Sequence, residues 1–188
     1  MIKIGITGSI ASGKTTASKI LSNKRGPLFS ADKAIKKFYK NINFKKKIIK
    51  EFNLKKNSNL KNQLKEKILI KKENIKKLEK IIHPMVRTEM NKFSFTYKKK
   101  GKIFYEIPLL VESKLMKYFD IIIFIKARKE LRLKRFKANG GNQELFNMLN
   151  NLQLPESKKV KFADHIIVNE KNLNILKKNL FDTISLYE

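Results

Sequence analysis

The 188-residue chain has no cysteine, so it carries neither a disulfide framework nor a thiolate metal site. Acidic residues are few: 16 against 44 basic ones, a formal net charge of +28. Arginine is scarce among the cations, with only Arg25, Arg87, Arg128, Arg132 and Arg135. Its planar fork is the side chain best suited to bidentate phosphate and base contacts. The lysines are instead dispersed, in runs at 45–47, 55–56, 71–72, 76–77 and 98–100, beside abundant isoleucine and asparagine. That pattern reads as A/T-rich codon usage and a solvated surface rather than a dedicated polyanion groove. No specific nucleic-acid partner is expected, although a positive surface attracts anionic substrates. No apolar run approaches membrane-spanning length; "FDIIIFI" (119–125) has the length of a buried strand. The start, "MIKIGITG", lacks the apolar core of a signal peptide. A soluble, cytoplasmic protein without a membrane partner is expected. There is no internal repeat and no Gly/Ser/Pro linker, and apolar residues make up 41% of the chain. One domain of ordinary size with a sizeable core follows.

What is present is an alternation of short apolar runs with helical patterns, the signature of βαβ units and a mostly parallel sheet. Strands are predicted at 2–7, 28–30, 103–107, 120–125 and 165–169. A helix is predicted over 14–24, closing near Gly26-Pro27. A last helix over about 171–187 places Leu173, Leu176, Leu180, Phe181, Ile184 and Tyr187 on one face. About seventy residues between the second and third strands carry no strand signal. "NFKKKIIKEF", "NLKNQLKEKIL" and "ENIKKLEKIIHPMVRTEMNKF" read as helices of an insertion at about 33–100. It suits a substrate-binding or dimer-forming lobe. A second helical segment, about 139–162, contains the turns "NGGNQ" and "LPES" and reads as a mobile lid. The core is then 1–32, 102–138 and 163–188 of a single domain.

Gly8-Ser9-Ile10-Ala11-Ser12-Gly13-Lys14-Thr15 matches G-x-x-x-x-G-K-[ST], the P-loop, between a predicted strand and a predicted helix. The glycines bring backbone amides close to phosphate oxygens. The helix that follows presents unpaired N–H groups and its positive dipole end. Lys14 adds a full charge against the β- and γ-phosphates, and the Thr15 hydroxyl is a Mg²⁺ ligand type. The fold class this implies is α/β of the P-loop nucleotide-binding kind. It has three layers, a five-stranded mostly parallel sheet, a helical acceptor-binding insertion and a helical lid.

The motif fixes nucleotide binding and leaves the reaction open. A small-molecule kinase also needs a base for the acceptor hydroxyl, an acceptor pocket and positive groups over the phosphates, and these fit in a chain this short. Asp32, just after the second strand in "LFSADKA", lies where a carboxylate takes a proton from an acceptor hydroxyl; the other reading is a cap for the next helix. Glu106 ends an apolar strand, the position from which a carboxylate holds Mg²⁺. Asp120 begins its strand and belongs at the opposite edge of the sheet.

"GITGSIASGKTT", "SAD", "HPMV", "EIPLLVES", "LRLKR" and "QLPESKKVKFADHIIVN" occur in the order found in dephospho-CoA kinases, and the chain resembles that family from residue 2 to about 169. The resemblance implies ATP-dependent phosphorylation of the ribose 3′-hydroxyl of dephospho-CoA, with ATP and Mg²⁺ as cofactors and a monomer or weak homo-oligomer. Asp32 matches the family's base. Ala11, Ser12, Gly13, Lys14, Thr15 and Thr16 match its phosphate-binding loop. His83, Pro108, Leu109 and Glu112 fall in segments lining the acceptor side. Arg135 matches a lid-side arginine near the transferring phosphate, and Asn169 falls beside the adenine. Simpler readings stand next to these. "HP" at 83–84 ends a helix, Pro108 and the leucines pack, Arg135 is solvated, and Asn169 is a strand-end turn residue. Three departures stand out. Ser30 replaces the first aspartate of the usual "DAD", Glu106 stands where aspartate is common, and the lid lacks arginines near Asn139 and over 143–149. A working but slow enzyme is predicted. The alternatives are another P-loop kinase for a nucleoside, nucleotide or small-molecule hydroxyl, or a catalytically weak nucleotide- or nucleic-acid-binding protein.

Overall fold

The structure, a computed structural model, describes residues 1–56, 59–71 and 73–187. Strands β1 (Ile2–Gly8), β2 (Leu28–Ser30), β3 (Lys102–Glu106), β4 (Ile121–Lys126) and β5 (His165–Val168) form one sheet in the order β2-β3-β1-β4-β5. Every pairing is parallel. The sequence "IIIFI" of β4 is buried throughout, as a strand covered on both faces requires. One face carries Ile4, Ile6, Phe104, Ile121, Ile123, Ile125 and Ile167. Against it pack Ala17 and Leu21 of α1 (Lys14–Ser22) and Leu176, Leu180 and Ile184 of α9 (Leu173–Ser185). On the other face Tyr105 meets Phe29 at 5.7 Å and Phe119 edge-on at 5.3 Å.

The parallel arrangement sends Gly8, Ser30, Glu106, Lys126 and Val168 to one edge of the sheet. Two aspartates mark the other edge. Asp120 Oδ2 accepts from Lys3 N at 2.7 Å, and its own N–H returns to the Lys3 carbonyl at 2.9 Å. Asp164 makes the same reciprocal pair with Ile122. Asp120 is thus where its position in the sequence predicts, far along β4 from the nucleotide motif.

Two compact units are distinguished: residues 1–30 with those from 96 onward, and Ala31–Phe95. The second holds α2 (Ala31–Phe38), α3 (Ile42–Phe52), α4 (Leu60–Ile70) and most of α5 (Glu73–Thr96). Asn41 caps α3, its Oδ1 accepting from Asn43 N and Phe44 N. Phe38, Phe44, Ile48, Phe52, Leu64, Ile81, Ile82, Val86 and Met90 are buried. The reading in which His83-Pro84 ends a helix is wrong: α5 runs through Pro84. Proline removes one ladder hydrogen bond, a cost of about 3 kcal/mol. Burial of Ile81, Ile82, Val86 and Met90 around it offsets that, at roughly 1.5–3 kcal/mol for each fully buried side chain.

Three other boundaries shift. α1 stops at Ser22 rather than 24, because Asn23 leaves the helical conformation with ψ 119° and Lys24 then takes a left-handed φ of 60°. α9 starts at Leu173, since the Asn172 side chain caps it by accepting from Ile175 N. The apolar stripe of α9 narrows, with Leu173 and Phe181 exposed and Arg25 lying 4.5 Å over the Phe181 ring. The predicted turn "LPES" is half helix, because Pro155 opens α8 (Glu156–Lys159). The segment between β4 and β5 also holds α6 (Lys129–Ala138) and α7 (Gln143–Asn151).

Candidate active site

The β1–α1 junction is built around two glycines at which any side chain would be strained. Gly8 has φ 153°, and a Cβ there would meet Ser12 Oγ at 2.7 Å and overlap the Ile125 carbonyl. Gly13, the N-cap of α1, has φ 96°, and a Cβ would overlap the side-chain amide of Asn169. Between them Ala11 is held at φ 57°, a left-handed conformation that costs a non-glycine residue energy and persists only where neighbours enforce it. The result is an arc of main chain at the amino end of α1, whose first-turn amides have no acceptor within the helix and whose N-cap Gly13 offers no side chain to them.

Lys14 is buried, and its Nζ donates to the Ser9 carbonyl across the arc at 2.8 Å. Ser12 Oγ is buried without a hydrogen-bond partner among the described residues. The Thr15 hydroxyl donates to Oε1 of Glu106, itself buried at the end of β3, where its backbone is paired with Ile6 and Ser30. A hydroxyl and a carboxylate side by side are hard oxygen donors, the set Mg²⁺ accepts alongside phosphate oxygens and water. Among the described residues there is no cluster of three His, Asp or Glu side chains that would make an all-protein metal site.

A cavity of about 560 Å³ opens beside the arc, lined by Ala11, Gly13, Lys14, Thr15, Thr16, Arg135, Asn139, Asn169, Lys171, Leu173 and Leu176. Arg135 is neither solvated nor detached: it donates to Asn169 O at 3.0 Å and to Ser12 O at 3.4 Å. Asn169 is buried, and its Nδ2 donates to Ser12 O at 2.8 Å, so it braces the arc as well as ending β5. Thr16 is exposed on the cavity wall. Asn139 bonds back to the Arg135 carbonyl at 2.8 Å.

The remaining candidates divide. Pro108 and Leu109 are half-buried in the turns after β3; the Pro108 carbonyl accepts from the Thr7 hydroxyl at 3.3 Å, and that of Leu109 from Ser113 N. Glu112 is held by Lys159 at 2.5 Å and by Leu154 N at 3.1 Å. Asp32 and His83 belong to the second unit. Asp32 is the second residue of α2, inside its first turn rather than before it. His83 sits on α5; burial lowers its pKa below the ordinary value and Arg87 adds to that, while Glu79 opposes it.

Sequence reasoning offered Arg132 only as a substitute for missing lid arginines and gave no role to Gln153 or Glu156 individually, yet these buried and half-buried polar residues hold the arc from behind. Arg132 is buried and donates to Ala127 O, Ile10 O and Asn150 Oδ1. Its pKa is lowered by burial, against the pull of Glu156 and Glu130. Gln153 accepts from Ile10 N, and Glu156 accepts from the Ser9 hydroxyl. The signal available was the segment "QLPESKK", which places a glutamine, a glutamate and a lysine at short intervals.

The family model for dephospho-CoA kinase matches residues 2–174. The dephospho-CoA kinase of Fusobacterium nucleatum is 36% identical over 184 residues, covering 94% of both chains. A Thermus thermophilus protein of known crystal structure superposes with a TM-score of 0.83 at 27% identity, covering 98% of this chain and 97% of its own. The dephospho-CoA kinase of Campylobacter jejuni does so with a TM-score of 0.68 at 30% identity, covering 97% and 95%. With its parallel sheet, a P-loop sequence between β1 and α1, and a family match over residues 2–174, the chain belongs to the dephospho-CoA kinase family.

Proposed function

We propose that the chain transfers the γ-phosphoryl group of ATP to the ribose 3′-hydroxyl of dephospho-CoA, giving coenzyme A and ADP. The observation that carries this reading is the braced arc at Gly8–Thr16, at the carboxyl edge of a parallel sheet, in a chain that the family model matches over residues 2–174. The amides of Gly13 to Thr16 receive the phosphate chain, and Lys14, which donates to the Ser9 carbonyl, turns to β- and γ-phosphate oxygens. Asp32 accepts the proton of the acceptor hydroxyl as the new P–O bond forms. Arg135 leaves or shares its two carbonyl acceptors to meet charge developing on the transferred group. Thr15 and Glu106 would hold Mg²⁺, which would neutralise charge on the phosphate oxygens. His83, Pro108, Leu109 and Glu112 line the acceptor side, Asn169 lies by the adenine, and the segment at about 139–162 closes over the nucleotide.

Coupled measurement of ADP release with and without dephospho-CoA tests the reaction. Release dependent on dephospho-CoA and on Mg²⁺ is expected. Faster turnover of a nucleoside or a shikimate-like alcohol than of dephospho-CoA overturns the substrate assignment.

A further inference from the structure

Lys159 is fully buried, although a lysine side chain removed from water is costly unless its charge is matched. Its ammonium has two acceptors, Glu112 Oε1 at 2.5 Å and Gln153 Oε1 at 3.2 Å. The same Gln153 oxygen accepts from the Ile10 amide at 3.2 Å. Glu112 Oε1 also accepts from Leu154 N, so one ion pair anchors both residues of the 153–154 turn. From the other side Arg132 donates to the Ile10 carbonyl at 3.3 Å. Both peptide groups of Ile10 are therefore fixed by side chains that depend on buried cations. Ile10 immediately precedes Ala11, the strained left-handed residue of the phosphate-binding arc.

We propose that Lys159 is a positioning residue for phosphoryl transfer: acting through Gln153 on the Ile10 amide, it holds the arc in the conformation that receives phosphate, and acting through Glu112 it holds the turn that presents Gln153. It touches no reacting atom. A hydrophobic side chain would fill the same space at less electrostatic cost, so the charge is accounted for by this conformational task. The inference rests on the reading that the arc binds the transferring nucleotide.

The experiment compares Lys159→Met, Gln153→Leu, Gln153→Glu and the double variant Lys159→Met/Gln153→Leu with the unchanged protein. Readouts are hydrogen–deuterium exchange at the Ile10 amide, ATP affinity, melting temperature, and kcat and KM with dephospho-CoA. Lys159→Met and Gln153→Leu are each expected to speed Ile10 exchange about tenfold and to lower kcat roughly 10- to 100-fold, with KM for dephospho-CoA moving less than about threefold. Gln153→Glu keeps an acceptor oxygen and is expected to retain kcat within about threefold. The double variant is expected to be no slower than Lys159→Met, because both act through one link. Unchanged Ile10 exchange, kcat within about twofold of the unchanged protein in a folded Gln153→Leu, or multiplying effects in the double variant overturn the proposal. Should Lys159→Met fail to fold, the two Gln153 variants decide. If the unchanged protein does not phosphorylate dephospho-CoA, the functional reading falls; Ile10 exchange and ATP affinity then decide this one separately.

Discussion

Lys14 Nζ donates to the Ser9 carbonyl of its own loop, so in the proposed role it reaches a phosphate from inside the arc and not from solvent. The cavity beside it has Arg135 on one wall, and Asn139 stands one helical turn further on, at the end of α6. An asparagine there supplies no charge to the phosphates, and neutral amides from 143–149 supply none either. Asn139→Arg is therefore expected to raise kcat, on the order of tenfold, with ATP affinity changed far less; steady-state kinetics at saturating ATP check it. Glu112 and Asn169 interact with protein groups, so arginine at 139 is a cleaner probe than a change at either. Asp32 has the opposite expectation. Asp32→Asn removes the proposed proton acceptor while keeping the shape, so turnover should fall by about a thousandfold or more while ATP affinity is retained, read by calorimetric titration beside the turnover assay. Turnover that survives this change removes Asp32 from the role of base.

At the scale of elements α5 is the informative case. Pro84 lies inside a 24-residue helix. Replacing it with alanine restores the missing hydrogen bond and relieves the clash with the preceding turn, so Pro84→Ala is expected to raise unfolding free energy by about 1–3 kcal/mol in urea melts. One residue earlier, burial and Arg87 hold the His83 pKa below 6.5. The unfolded chain then binds more protons than the folded one just below that value, so stability rises with pH across the window and is lost on acidification from about pH 7 downward. His83→Gln should flatten that slope, as melting temperatures at a series of pH values would show. The same helix shows what was legible in the chain. Its 3.6-residue apolar periodicity identifies it, and local proline chemistry argues for a break that long-range burial overrides. The five strands and the P-loop are readable because each is a local pattern: a β-branched run, a glycine spacing, a lysine before threonine. The bracing of the arc is not, because Ile10 meets Gln153 and Arg132 across more than a hundred residues of sequence, and the segment holding Gln153 and Lys159 does not say by itself which of its lysines is buried.

For the whole molecule the governing quantity is the net charge of +28. Spread over the surface, it opposes compaction through self-repulsion and raises the local concentration of anions such as ATP and dephospho-CoA. Both effects are screened by salt, with a Debye length of about 10 Å at 0.1 M falling to about 3 Å at 1 M. They pull measurable quantities in opposite directions. Raising potassium chloride from about 0.05 to about 0.5 M should increase the melting temperature, because repulsion relaxes while the buried Lys159–Glu112 pair is scarcely screened. Over the same range kcat/KM for ATP should fall, chiefly through KM, because steering weakens while the arc and its bracing are unchanged. A dedicated polyanion groove behaves differently: affinity for duplex DNA would fall as a steep power of salt concentration, by a factor of about a thousand or more for several phosphate contacts. Dispersed lysines with few arginines predict a shallow slope and weak duplex binding at physiological salt, and filter-binding or anisotropy measurements across the salt series separate the two. A steep slope together with tight binding would mean that the charge is organised toward nucleic acid, and the solvated-surface reading of these lysines would be wrong.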